Sequence, residues 1–168
     1  MKKFNLYQLL KYCCILVIAS ITSCKNTTPP QWGSAEKYAV KDSVTIMAVN
    51  ISTDVSARGP SAWVNYFEND PGFFMASSGM LVFKDYKTAK TFTLDTVAKN
   101  FKKIDLSWKN LKVDPLTATY ASFGADFHED ILKANGKTLT ADGYFTATAH
   151  FDGTRWRLRN MNWAMKTP

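Results

Sequence analysis

Asp126, His128 and Asp130 alternate along one stretch of the chain, and these are the residue types best suited to moving a proton. A carboxylate beside an imidazole raises its pKa or orients it as a general acid or base. Residues two apart on a strand do not touch by default. The pair Asp126 and His128 therefore needs a bend or a cross-strand partner, such as Asn160 or Asn162. The same residues equally suit a polar cluster, satisfied within itself, at the mouth of a pocket. No metal site is expected, because the stretch holds one histidine and His150 falls on the opposite face of the expected sheet. There is no nucleophile motif, phosphate loop or dinucleotide fingerprint, and no cofactor is implied.

The elements that must position these residues are legible as periodicities. Ser34 caps an expected helix in which Val40, Val44, Met47, Ile51 and Val55 form one apolar stripe. Gly59-Pro60 breaks it, and proline suits the first position of a second, short helix carrying Trp63, Tyr66 and Phe67. Phe73 to Ala76 and Met80 to Phe83 read as short strands around Ser77-Ser78-Gly79. Asp85 caps a third helix with Ala89, Val97 and Phe101 on one face and Lys99, Lys102 and Lys103 near its end. Beyond Ile104 the period becomes two, with strands expected at about Leu106–Val113, Thr117–Lys133, Thr138–Phe151 and Thr154–Met165. Helices gathered first and strands last indicate an α+β fold.

Asn135-Gly136 and Asp152-Gly153 are the strongest hairpin signals. Taking each pair as the two central turn residues sets a register. Asp126 then faces Phe145, His128 faces Gly143, Phe145 faces Asn160, and Gly143 faces Asn162. One face of the sheet carries Tyr120, Ser122, Asp126, His128, Phe145, Trp156, Asn160 and Asn162, together with Gly124, Gly143, Ala147, Ala149 and Leu158. Small residues leave room there, apolar residues form walls, and polar groups collect at one end, as a small-molecule pocket requires. Those first eight residues are the expected ligand contacts, and His128 with Asp126 is the catalytic candidate. The other face carries Phe123, Phe127, Tyr144, Met161 and Trp163 with Arg155, Arg157 and Arg159. That mixture suits either a homodimer interface or packing beneath the N-terminal segment.

The first residues carry a different message. Lys2, Lys3 and Lys11 precede or flank the apolar run Cys13 to Ala19, and Ile21-Thr22-Ser23-Cys24 follows. The order charged, apolar, small is that of a secretory signal, and the apolar run is shorter than the about 20 residues a spanning helix needs. Ile21 to Cys24 resembles the lipobox of bacterial lipoproteins. The resemblance implies residues 1–23 as signal peptide, an acylated Cys24, a tether over 24–33, and a domain over 34–168. Cleavage removes Cys13 and Cys14 and leaves no pair for a disulfide. Lys25 stands where an Asp often retains lipoproteins at the inner membrane, so the resemblance favours the outer membrane of a bacterial cell envelope. Loss of three lysines with the leader reduces the formal charge from +7 to +4. That modest excess, without a nucleic-acid motif, argues against nucleic acid as a partner.

The domain resembles the nuclear transport factor 2-like superfamily, in its SnoaL-like and ketosteroid-isomerase-like branch. The residues that carry the resemblance are Trp63 to Asp70, Asn135-Gly136-Lys137, Asp142-Gly143-Tyr144 and Phe151 to Leu158. It implies a cone-shaped α+β barrel, with N-terminal helices packed on a curved, mainly antiparallel sheet of about six strands around a pocket. It also implies which isomerase residues are missing. Ala76 or Ser77 stands at the position of the general base, and Ala147 at that of the oxyanion Asp. Steroid isomerisation is therefore not expected. Three readings of function stay open. The domain is a tethered, non-catalytic binder of a small apolar ligand, a SnoaL-like enzyme using His128 on a small carbonyl or polyketide-like substrate, or a structural envelope protein acting through its convex sheet face.

Overall fold

Val40, Val44, Met47, Ile51 and Val55 are all buried along helix α1, Ser34–Arg58, as their spacing demands. The computed structural model describes residues 32–166. The expected signal peptide and the acylation site Cys24 lie outside the described residues. Glu36 accepts a bond from the Gly33 N–H at the start of α1, 3.1 Å. Gly59 ends the helix with φ +79° and donates to the Val55 carbonyl at 2.9 Å. The second, short helix expected there is a 3-10 helix, Pro60–Asn65, opened by Pro60. Among the described residues no helix is long and apolar enough to cross a membrane.

Strands β1 (Phe74–Ser77) and β2 (Met80–Phe83) form a tight hairpin. Asp85 caps helix α2 (Tyr86–Phe92) by accepting from the Thr88 N–H at 2.8 Å. The chain then widens into a π turn, Thr93–Val97, and one short turn α3, Ala98–Asn100. Strand β3, Phe101–Pro115, starts five residues before the period-two pattern suggested. Phe101 pairs with Lys133, and the Asn100 carbonyl accepts from the Ala134 N–H at 2.7 Å, so the long sheet claims the end of the expected helix. β4 (Tyr120–Lys133), β5 (Thr138–Phe151) and β6 (Trp156–Met165) complete the meander.

The six strands lie in the order β2-β1-β6-β5-β4-β3, with β1 parallel to β6 and the other pairs antiparallel. This corrects the expected barrel: β2 and β3 are outer edges, and the sheet does not close. Helix α1 lies against edge strand β3 instead. The Leu106 N–H of edge strand β3 donates to Ser56 Oγ at 3.0 Å, and Trp108 Nε1 donates to the Ala48 carbonyl at 2.8 Å. The architecture is α+β, with the helices laid on one face of a mixed six-stranded sheet.

The hairpin registers are also corrected. Leu132 pairs with Thr138, and the Gly136 N–H donates to the Lys133 carbonyl at 3.0 Å. Gly136 alone in that turn has positive φ, +82°, so the loop has three residues ending on a left-handed glycine rather than two. One residue of slip turns every β4 side chain over. Phe145 therefore faces Ala125 instead of Asp126. In the next hairpin Phe151 pairs with Trp156, leaving four loop residues, and Asp152 Oδ1 accepts from the Thr154 and Arg155 N–H groups at 2.9 Å each. A bulge at Arg159 then brings Phe145 opposite Trp163. The helix-covered face consequently carries Phe123, Ala125, Phe127, Phe145, Leu158 and Met161, all buried. Phe145, Ala147, Ala149 and Leu158 stand on the expected side, whereas the β4 residues and Asn160 and Asn162 do not.

Candidate functional site

A cavity of about 270 Å³ lies between the helices and the sheet. Its walls come from every layer: Trp63 and Phe67 after α1, Met75 and Phe83 from the hairpin, Phe92, Thr93 and Val97 from α2 and the π turn, and Leu106, Trp108, Phe127, Phe145 and Met161 from the long strands. The rings interlock. Phe145 lies 5.4 Å from Trp108, 5.6 Å from Phe123 and 6.1 Å from Trp63, measured between ring centres. Because Trp108 Nε1 is bonded to α1, its ring presents only apolar surface to this cluster.

Glu129 is the ionisable side chain in this lining. It takes its turn in the inward row of β4, between Phe127 and Ile131, where alternation calls for an apolar residue. No hydrogen bond or ion pair reaches its carboxylate from the described residues. Burial alone pushes its pKa above the ordinary glutamate value. Thr93 is the other polar wall residue, and its hydroxyl donates to the Ala89 carbonyl at 2.8 Å. Thr93 also opens the π turn, a local irregularity found often at functional sites. A buried carboxyl whose charged form is disfavoured is a stronger base than an exposed one, and donates a proton when neutral.

The residues singled out from the sequence are placed elsewhere, with the exception of Phe145. Asp126 points away from the cavity, accepts from Asn110 Nδ2 at 2.7 Å and lies 3.5 Å from Lys166 Nζ. The Asn110 bond, then the lysine charge, holds its carboxyl below the usual range. His128 sits on the same outer face between two other carboxylates, with Nδ1 2.9 Å from Asp142 and Nε2 3.4 Å from Asp130. The hydrogen bond to Asp142 is the main reason its pKa is raised. The imidazole thus has the carboxylate neighbours that proton transfer needs, yet it does not line the cavity. Ser122 and Asn162 are exposed on this outer face. The Asn160 amide donates to the Gly72 carbonyl at 2.9 Å. Trp156 packs on Phe151, ring centres 5.7 Å apart, beside α1. Of the aromatic patch expected on the outer face, Phe127, Met161 and Trp163 line the cavity instead, and Tyr144 remains exposed.

Tyr120 stacks on His150, centres 4.3 Å apart, so His150 shares the face of His128 rather than opposing it. His150 Nδ1 lies 2.5 Å from Glu68 Oε1, and Arg159 bridges Glu68 Oε2 at 3.3 Å to Asp70 Oδ1 at 2.6 Å. Glu68 is 6% exposed. Backbone bonds from Glu68 N to the Leu158 carbonyl (2.9 Å) and from Leu158 N to the Tyr66 carbonyl (2.7 Å) fix the same segment to β6. This His–Glu–Arg–Asp network pins residues 67–72 to the sheet, and so places Phe67 in the cavity wall. Among the described residues no group of three or more His, Cys, Asp and Glu is arranged to hold a metal.

Sequence reasoning missed Glu129 and Glu68. The first had a signal: a lone carboxylate interrupting the apolar row Phe123, Ala125, Phe127, Ile131. The second joins residues 82 apart in the chain and had none.

No family model and no curated protein matches this chain. Solved structures do. A type 2 hexachlorocyclohexane dehydrochlorinase superposes with TM-score 0.65 at 11% identity, over 80% of this chain and 90% of that one. The type 3 enzyme from Novosphingobium barchaimii gives 0.64 at 12% identity, over 80% and 92%. A nuclear transport factor 2-like superfamily protein from Salmonella enterica gives 0.61 at 15% identity, over 80% and 94%. The chain shares the fold of these structures, the nuclear transport factor 2-like protein among them. The rest of the comparison concerns shape, because identities this low transmit no residue roles.

Proposed function

We propose that this domain is an acid–base enzyme acting on a small, largely apolar molecule held in the cavity, with Glu129 as the group that moves the proton. One observation carries the reading: a carboxyl with no hydrogen-bond or ion-pair partner among the described residues faces an aromatic-walled cavity, where burial disfavours its charged form. The substrate class is a compound whose C–H is acidified by a neighbouring carbonyl or leaving group. A Glu129 oxygen takes the hydrogen as a proton, and the C–H electron pair moves into the adjacent bond. That pair forms an enolate on a carbonyl substrate, or a C=C bond as a leaving group departs with its own pair. The similarity in shape to dehydrochlorinases, which by name remove hydrogen and chlorine, supports the elimination branch. The proton-transfer role sketched for His128 passes to Glu129, because Glu129 faces the cavity and His128 does not.

A second reading, a non-catalytic binding domain, draws on Thr93. Its hydroxyl proton is committed to the Ala89 carbonyl, so no second ionisable or hydroxyl group in the lining is free to work with Glu129. Glu129→Gln separates the two. With a substrate panel of activated C–H compounds, the enzyme reading expects kcat to fall by about 10²–10⁴ while affinity for an apolar cavity probe changes little. Equal turnover by wild type and variant would refute Glu129 as the base. No turnover by either, with probe binding kept, would leave the binder.

We further propose that the chain is lipid-anchored through Cys24 in a bacterial cell envelope, at the outer membrane. The lipobox-like run and the absence of Asp at position 25 support this. Cell fractionation tests it: Cys24→Ser moves the protein to the soluble fraction, and retention in the membrane would count against acylation.

A further inference from the structure

The β1–β2 hairpin carries a concentrated run of exposed apolar side chains. β2 is an outer strand, and Met80, Leu81 and Val82 are 68%, 62% and 42% exposed. Leu81 shares a face with the cavity-lining Phe83, while Met80 and Val82 point the other way. Both faces of this strand are therefore apolar and wet. Edge strands are ordinarily shielded by charge, proline or a covering element, as α1 shields β3. Phe74, Phe92 and Leu94 extend the exposed apolar surface. Phe92 and Met165 are exposed and also line the cavity, so the cavity reaches the surface beside this patch. Between residues 71 and 94 the charged side chains are Lys84, Lys87, Lys90 and one acid, Asp85. Asp85 is occupied in capping α2. None of the three lysines forms an ion pair among the described residues.

We propose that this hairpin and α2 dock on an anionic phospholipid bilayer, with Met80, Leu81 and Val82 entering the interface and the three lysines meeting lipid phosphates. Charge selects the occupant. Lysines beside an apolar tip are attracted to anionic lipid and repelled by the same lysines on a second copy. Geometry agrees, since strand-to-strand pairing with a second copy would cover the edge of β2 but leave both its faces wet, whereas a bilayer surrounds both. Docking sets the cavity opening against the acyl region, where small apolar molecules concentrate. The inference is independent of whether Glu129 catalyses a reaction.

The test uses the full chain with Cys13, Cys14 and Cys24 changed to Ser, so that no acyl chain contributes. An environment-sensitive dye is attached at Leu81→Cys, or at Thr146→Cys on the exposed outer face of β5 as a control. With vesicles of phosphatidylglycerol and phosphatidylethanolamine, the dye at 81 shifts to the blue and is quenched by brominated lipid, while the dye at 146 stays in water. Replacing Lys84, Lys87 and Lys90 by Glu weakens vesicle partitioning at least about tenfold. Two results overturn the proposal: both dyes remaining in water, or the dye at 81 shifting with protein concentration in the absence of vesicles, which would assign the patch to a second copy.

Discussion

Gly143→Ala tests the strand register on which the cavity depends. A methyl group at this position would meet the Ala164 carbonyl oxygen and two ring atoms of Phe127, the latter at 2.5 Å, where ordinary contact is 3.4–4 Å. The Phe127 ring must retreat by about 1 Å, into the cavity it lines. The carbonyl cannot retreat freely, because Gly143 pairs with Met165 and the Lys166 N–H is bonded to Asp142 O at 2.8 Å. Overpacking a core costs about 1–3 kcal/mol, and a ladder hydrogen bond lost with it adds about 1 kcal/mol. The expected loss is about 3 kcal/mol. For a domain of this size that lowers the melting temperature by roughly 10 °C. Thermal and urea melts of the full chain measure it, and binding of an apolar fluorescent probe should weaken in parallel. Gly136→Ala is the control. Its φ is +82° but nothing lies within 4 Å, so only backbone strain of about 1–2 kcal/mol is at stake. If Gly143→Ala melts within about 2 °C of wild type, the register and the cavity wall described above are wrong.

Three other outcomes are expected. Glu129 holds its proton to higher pH in the folded state than in the unfolded chain, so the native state binds more protons in that window. Stability should therefore fall as pH rises above the ordinary value of 4.5, and Glu129→Gln should remove that slope in urea melts across pH. The His128 ring titrates above its ordinary 6.5, so its contribution to stability is complete below that pH and is lost as pH rises through the raised pKa. Ring NMR of an Asp142→Asn variant should show the titration moving down, and an unchanged midpoint would contradict the assigned partner. Phe145→Ala, at the hub of the aromatic cluster, should cost about 3–5 kcal/mol, with Phe145→Leu clearly milder. Equal losses from the two would mean that the rings do not pack as described.

The local elements were legible because local chemistry makes them. The stripe Val40 to Val55, the Gly59-Pro60 break and the Asp85 cap each act within one or two helical turns, and each appears where the residues put it. The hairpin locations were legible too, but their loop lengths were not. Asn-Gly suits a two-residue turn and also the end of a three-residue one, and the difference of one residue reverses the strand. The resemblance conveyed the fold but overstated its closure: β2 and β3 stay outer edges, and α1 bonds to Leu106 and Trp108 of β3.

What the sequence determined alone was the α+β order, the apolar face of each element and the signal carried by its first residues, since these depend on neighbours a few positions apart. Tertiary structure decided which carboxylate faces the cavity. Glu129 and Asp126 lie three residues apart on one strand, so alternation puts them on opposite faces, and the helices cover the face that carries Glu129. A strand's alternation defines two faces but does not say which will be covered. That choice is made by long-range packing of helices against the sheet, and with it the pKa of the group proposed to act.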